Sequence, residues 1–229
     1  MTPSSEGVIY MRAGLEVGVA ATKTYTSQLM CGLLFAIQLG RWRGTLGAAA
    51  AKRLLQAASL VPGAVSAILR GAAAVEEIAR KAACRDYMYI GRRYHLATAF
   101  EGALKMKEIS YLHAEGYGAG EMKHGPIAIV DSSLTTIAIA LKDRVYDKMV
   151  SNIEQIRARK GRLVTLCSPG DAAIAKISDF TIPIPGLPEE CFNPVLAVVP
   201  LQLFAYATAI AHGLDPDKPR NLAKTVTVE

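Results

Sequence analysis

"DYMYIGRRYHLATAFEGALKMKEISYLHAEGYGAGEMKHGPIAIVDSSLTTIAIAL" runs from Asp86 to Leu141. Its first six residues, Asp86 to Gly91, follow an aspartate with aromatic and aliphatic residues and close on a glycine, the signature of a strand. "TAFEGALKMKEISYLHAE" (98–115) then shows apolar residues at helical spacing and reads as a helix. "IAIVD" (127–131) and "TTIAIAL" (135–141) read as two further strands. A strand, a helix and more strands, with each strand apolar on both sides, predict a parallel sheet covered on both faces.

The same alternation continues toward the C-terminus. "VYDKMVSNIEQIRARKG" (145–161) is an amphipathic helix, "RLVTLCS" (162–168) a strand, "DAAIAKISD" (171–179) a short helix and "FTIPIP" (180–185) a strand. "PVLAVVPLQLFAYATAIAHG" (194–213) is a long helix with Gly213 as its cap. Toward the N-terminus the pattern is poorer in strands. "GVIYMRAG" reads as a short strand over Gly7 to Arg12. Helices are predicted over 19–42, with Thr22 or Thr24 as N-cap, over 44–65 with a break at Pro62-Gly63, and over 64–85. The expected fold class is α/β, a doubly wound parallel sheet with helices on both faces. Residues 63–229 form one complete unit with a tail from about 214, and residues 1–62 are the C-terminal remnant of a second unit.

Composition excludes several classes. Half of the 229 residues are hydrophobic and a fifth are charged, as in a soluble globular chain and not in a disordered one. The net charge of +6 comes without any block of like charges, so a nucleic-acid surface is only weakly indicated, and an anionic small-molecule substrate fits equally well; no nucleic-acid partner is expected. The four cysteines show no CxxC spacing and no metal-ligand set with histidine, and are expected as reduced thiols. The N-terminus lacks the basic and apolar regions of a signal peptide. The longest apolar stretch, Val195 to Ala211, is interrupted by Pro200, Gln202 and Tyr206 and reads as a core helix. The expectation is a cytoplasmic protein with no membrane partner.

Residues 101–131 hold four glutamates, three lysines and two histidines. Glu101, Lys105 and Glu108 are spaced i, i+4, i+7 and share one helix face. That spacing suits a solvated stripe. Ala103, Leu104, Ile109 and Leu112 give the same helix a broad apolar surface, which brings the charges to a packed boundary, where a carboxylate with a raised pKa can act as acid or base. His124, between Lys123 and a Gly-Pro turn, is a candidate for proton transfer. Lys224 lies in the apolar "KTVTV" and could form a Schiff base if packed. Base, acid and amine together point to chemistry at a carbonyl-bearing substrate.

Four segments carry a resemblance: "EVGVAATKTYTSQL" (16–29), "FEGALKMKEISYLHAEGYGAGEMKHGPIAIVD" (100–131), "SNIEQIRARKGRL" (151–163) and "DPDKPRNLAKTVTVE" (215–229). They resemble the isomerase part of the glutamine–fructose-6-phosphate aminotransferase family, the glucosamine-6-phosphate synthases, built of two sugar isomerase (SIS) domains. The resemblance implies that fructose 6-phosphate and ammonia from glutamine yield glucosamine 6-phosphate, with no cofactor and no metal. Glu108 then falls on the family's general base, moving a proton between C1 and C2 of the sugar. His124 falls on the histidine that assists ring opening and is donated by the neighbouring subunit of a homodimer. Lys224 falls on the Schiff-base lysine. Glu101 and Lys105 match its supporting charges, and Val19 and Ala223 match positions lining the sugar site.

The chain departs from that pattern in two ways. Ala21 stands where the family usually has serine. The glutaminase unit and the Ser/Thr-rich phosphate loop of the first SIS domain have no counterpart, so a C-terminal piece with impaired activity is expected. Two other readings share the fold: a stand-alone SIS enzyme acting on amino sugars or glycated amines, and a non-catalytic sugar-phosphate-binding piece. "RNLAKTVTVE" favours the synthase. An unpaired strand over 7–12 would leave a sheet edge exposed and promote oligomerisation or poor solubility.

Overall fold

A computed structural model describes residues 4–223. Its strands are β1 (Asp86–Gly91), β2 (His113–Gly118), β3 (Leu134–Ala140), β4 (Arg162–Cys167) and β5 (Phe180–Pro183). They form one parallel sheet in the order β2-β1-β3-β4-β5. The helices are α1 (Lys23–Trp42), α2 (Ala48–Arg70), α3 (Ala72–Lys81), α4 (Tyr94–Ser110), α5 (Tyr146–Arg157), α6 (Ala172–Ile177) and α7 (Asn193–Ala211).

Side-chain alternation along each strand feeds two cores. Tyr87, Tyr89, Ile137, Ile139, Val164 and Leu166 face α4, α7 and the helices that precede β1. Met88, Ile90, Ala138, Ala140, Leu163 and Cys167 face α5 and α6. With both faces covered, the central strands β1, β3 and β4 are mostly apolar on both sides, which explains their near-continuous hydrophobic runs. The expected doubly wound α/β class is therefore the observed one. α7 is long and apolar enough to cross a membrane by length and composition, yet most of it is buried within this core. Its contacts with α1, α2, α3 and α4 account for an apolar surface on every side.

Four local expectations are corrected. Residues 7–12 carry no strand and add no edge to the sheet; Val8, Ile9 and Tyr10 lie exposed. α2 runs through Pro62-Gly63 without a break, because burial of Ala57, Ala58, Val61 and Ile68 along it outweighs the cost of a helical proline. The bend comes later, at Gly71, where α2 and α3 meet at 52°. Residues 126–129 form a 3₁₀ turn, opened by Gly125 at φ +144° and Pro126, in place of a strand. Finally, α4 stops at Ser110, with Tyr111 in the left-handed region, and residues 113–118 form β2. Among the described residues that edge strand pairs only with β1, so "HAEGYG" needs little hydrophobicity. A Cβ on Gly116 would lie 3.0 Å from the Phe100 backbone, so the close approach of β2 to α4 requires glycine there.

His95, in the first turn of α4, is 3 % exposed, and its Nδ1 has no hydrogen-bond partner among the described residues. Burial, and secondarily the Arg93 guanidinium, push it down to about 4 from its usual 6.5, with Glu190 opposing. A folded value below the unfolded one means stability that is full above the unfolded value and lost as pH falls through the folded one. That window runs from about 6.5 down to about 4, and the shift corresponds to roughly 3 kcal/mol. Urea denaturation of a His95→Leu variant is expected to show a flatter acid limb across this window. Equal acid limbs in variant and parent would refute the assignment.

Candidate functional site

The charged stripe of α4 lies at a packed boundary. Lys105 is 3 % exposed, because α7 and the segment before α1 close over this part of α4. Its Nζ sits 2.5 Å from a Glu108 carboxylate oxygen and 3.4 Å from one of Glu101. The side chains of Glu101 and Glu108 keep only 11 % and 21 % of their surface in solvent. One cation thus serves two carboxylates, leaving one net negative charge in a poorly solvated place. The effect shows at Glu101, whose carboxyl is raised by burial, with Lys105 pulling the other way and Glu108 adding repulsion. Tyr25 of α1 is raised by burial and by the nearby Glu101 charge.

A cleft of about 370 Å³ opens beside Lys105. α4 supplies Lys105 and Ile109, and α7 supplies Gln202 and Tyr206. The segment before α1 and residues 216–217 complete it. The two irregular segments hold each other: the Val19 N–H donates to the Asp217 carbonyl at 3.2 Å, and Gly18 packs against Asp217. Glu16 fixes the first of them. Its carboxylate accepts from the N–H groups of Thr22 (2.9 Å) and Thr24 (3.4 Å) and from both hydroxyls. Thr22 occupies the N-cap position of α1 as expected, but Glu16 does the capping. The signal for it was an acidic residue shortly before a helix start, where the helix dipole favours negative charge.

The cleft lies away from the carboxyl edge of the sheet, where ligands of doubly wound folds usually bind. α4 starts near the carboxyl end of β1 and runs back, so Glu108 lies roughly 21 Å along the helix from Tyr94. His124 follows the carboxyl end of β2 in a short 3₁₀ turn. Its side chain is 78 % exposed and 3.9 Å from the Glu121 carboxylate. Within one chain the fold therefore gathers Glu101, Lys105, Glu108, Val19 and the start of the tail, and leaves His124 at the other end of α4. Ala223 is exposed at the end of the described tail, and Ala21 is half-buried beside the cleft segment. Lys224 lies outside the described residues.

Residues 82–212 match the SIS domain family. The glutamine–fructose-6-phosphate aminotransferase [isomerizing] of Thermus thermophilus is 45 % identical over 230 residues, covering 100 % of this chain and 38 % of that protein. The protein of the same name from Gloeobacter violaceus is 46 % identical over 224 residues, 97 % of this chain and 37 % of that one. This chain thus spans well under half the length of the curated relatives it matches. Among solved structures, the C-terminal domain of the glucosamine-fructose-6-phosphate aminotransferase of Francisella tularensis superposes with a TM-score of 0.79 at 32 % identity, covering 90 % of this chain and 58 % of that one.

Proposed function

Since the chain belongs to the SIS domain family, we propose that it is the sugar-phosphate isomerase portion of a glucosamine-6-phosphate synthase. Fructose 6-phosphate is its substrate, and ammonia released from glutamine by a unit outside this chain supplies the amino group. The observation that carries the reading is the buried Glu101–Lys105–Glu108 cluster beside a cleft bounded by the segment before α1 and the start of the C-terminal tail, which the Val19–Asp217 bond ties together.

In this reading the Lys224 amine condenses with the C2 carbonyl of the open-chain sugar and expels water. Ammonia then displaces the lysine, leaving an imine at C2. Glu108 takes a proton from C1 while the imine nitrogen gains one, giving an enolamine; C2 then gains a proton and the C1 hydroxyl loses its own, which leaves an amine at C2 and an aldehyde at C1. Nothing is oxidised or reduced overall, and a positioned carboxylate suffices as base. Lys105 holds Glu108 in place, while Val19 and Ala223 line the sugar. The distance of His124 from Glu108 along α4 supports donation of His124 by a second copy in a homodimer. Residues 63–229 are assigned to one SIS unit and 1–62 to the end of another; the family match over 82–212 and the described sheet over 86–183 support a unit in the later part of the chain, while α2 continues through the assigned boundary.

The test is to incubate the protein with fructose 6-phosphate and borohydride and map adducts by peptide mass spectrometry. A hexose-phosphate adduct on Lys224 is expected, with glucosamine 6-phosphate formed when ammonium is added and borohydride omitted. Absence of both, in folded protein joined to the N-terminal sequence its relatives carry, would overturn the assignment.

A further inference from the structure

Tyr111 occupies a backbone conformation that its side chain does not favour. It follows the last residue of α4 with φ 60° and ψ 12°, a left-handed geometry where helices commonly place glycine. The backbone gains an ordinary helix-ending bond there, from the Tyr111 N–H to the Lys107 carbonyl at 3.2 Å, which glycine would make equally well. The ring makes contacts that glycine could not. Its hydroxyl accepts the Arg220 backbone N–H at 2.7 Å, and the Arg220 guanidinium stacks over the ring 4.3 Å from its centroid. Pro219, next to Arg220, is buried, and Asp217 is bonded to Val19.

From these contacts we infer that Tyr111 is a positioning residue for the reaction, tying the C-terminal tail to the end of the helix that bears Glu108. The inference rests on the function proposed above. Tyr111 stands three residues after Glu108. Arg220 stands four residues before Lys224, a span of at most about 14 Å of extended chain. The Tyr111–Arg220 contact therefore limits how far the nucleophilic amine and the base can separate. Tyr111 touches no reacting atom in this scheme; it acts through the tail.

Tyr111→Gly separates positioning from mere stability. It relieves the left-handed backbone while removing both tail contacts, opposing effects of similar size, so the melting temperature is expected to change little. Hydrogen exchange in peptides from 214–223 should accelerate on the order of tenfold, the loss of one hydrogen bond, while peptides of the sheet stay unchanged. Borohydride trapping on Lys224 should slow by roughly ten- to a hundredfold, the scale of a small misplacement. Tyr111→Phe keeps the ring for Arg220 and should recover part of both effects. Unchanged exchange in 214–223 refutes the tie. Faster exchange with an unchanged trapping rate refutes the positioning role. If the unsubstituted protein traps no sugar, the proposed function fails, and the exchange measurement still decides whether Tyr111 holds the tail.

Discussion

Glu108→Gln is expected to lower the rate of glucosamine 6-phosphate formation by roughly 10²- to 10⁴-fold, the usual contribution of a positioned base. The substitution keeps the shape of the side chain and removes only its ability to take a proton. Folding should survive, because Lys105 retains Glu101 as a partner at 3.4 Å. Schiff-base formation belongs to Lys224 and should persist. The diagnostic result is therefore a split: borohydride still traps the sugar on Lys224, while product is lost. Glu101→Gln makes the control. It removes the other carboxylate of the cluster, the one already raised by burial, and leaves the base in place. Its rate loss should be much the smaller of the two. A Glu108→Gln protein within tenfold of the parent rate would remove Glu108 from the mechanism.

Much of this arrangement was legible in the sequence because periodicity reports burial. Residues 87–91 carry no charge and are rich in aromatic and aliphatic side chains, and they are the buried part of strand β1. The i, i+4, i+7 spacing put Glu101, Lys105 and Glu108 on one face, and the apolar surface of the same helix implied that the face was not fully solvated; Lys105 is in fact buried. The misreadings share a cause as well. β2 is an edge strand pairing with one neighbour, so backbone hydrogen bonds and the close fit of Gly116 against Phe100 define it, and hydrophobicity does not. "PIAI" is apolar like a strand, but the turn at Gly125 and Pro126 winds it tightly. Pro62 looked like a stop because local propensity opposes it there, and tertiary packing overrides that preference. The separation of His124 from Glu108 depends on the direction in which α4 runs, which no local pattern encodes. The role of Glu16 has no strong local signature, because it is defined by a chain reversal that brings it back onto the start of α1.

Lys105→Met is expected to cost about 3–5 kcal/mol of folding stability near pH 8, the range found when one member of a buried ionic group is removed. Methionine fills nearly the same volume with a similar unbranched stem, so packing should change little. What changes is that two carboxylates, 11 % and 21 % exposed, lose the cation between them. The pH dependence follows from Glu101. Its folded value is already raised with Lys105 present, and Lys105 is the group that opposes the rise. Without the lysine the folded value moves further above the unfolded one, so the folded state holds a proton that the unfolded state releases. Stability is then greatest below the unfolded carboxylate range and falls as pH rises through the folded value. The deficit of Lys105→Met relative to the parent should therefore be largest near pH 8 and shrink toward pH 4. Adding Glu101→Gln and Glu108→Gln to Lys105→Met should restore most of the lost stability, because an uncharged cluster needs no counter-ion, while product formation stays absent. Urea midpoints at pH 8 and pH 5 for the three proteins test this. A loss below about 1 kcal/mol at pH 8, or one that does not diminish on acidification, would show that the lysine is not the electrostatic keystone of the cluster.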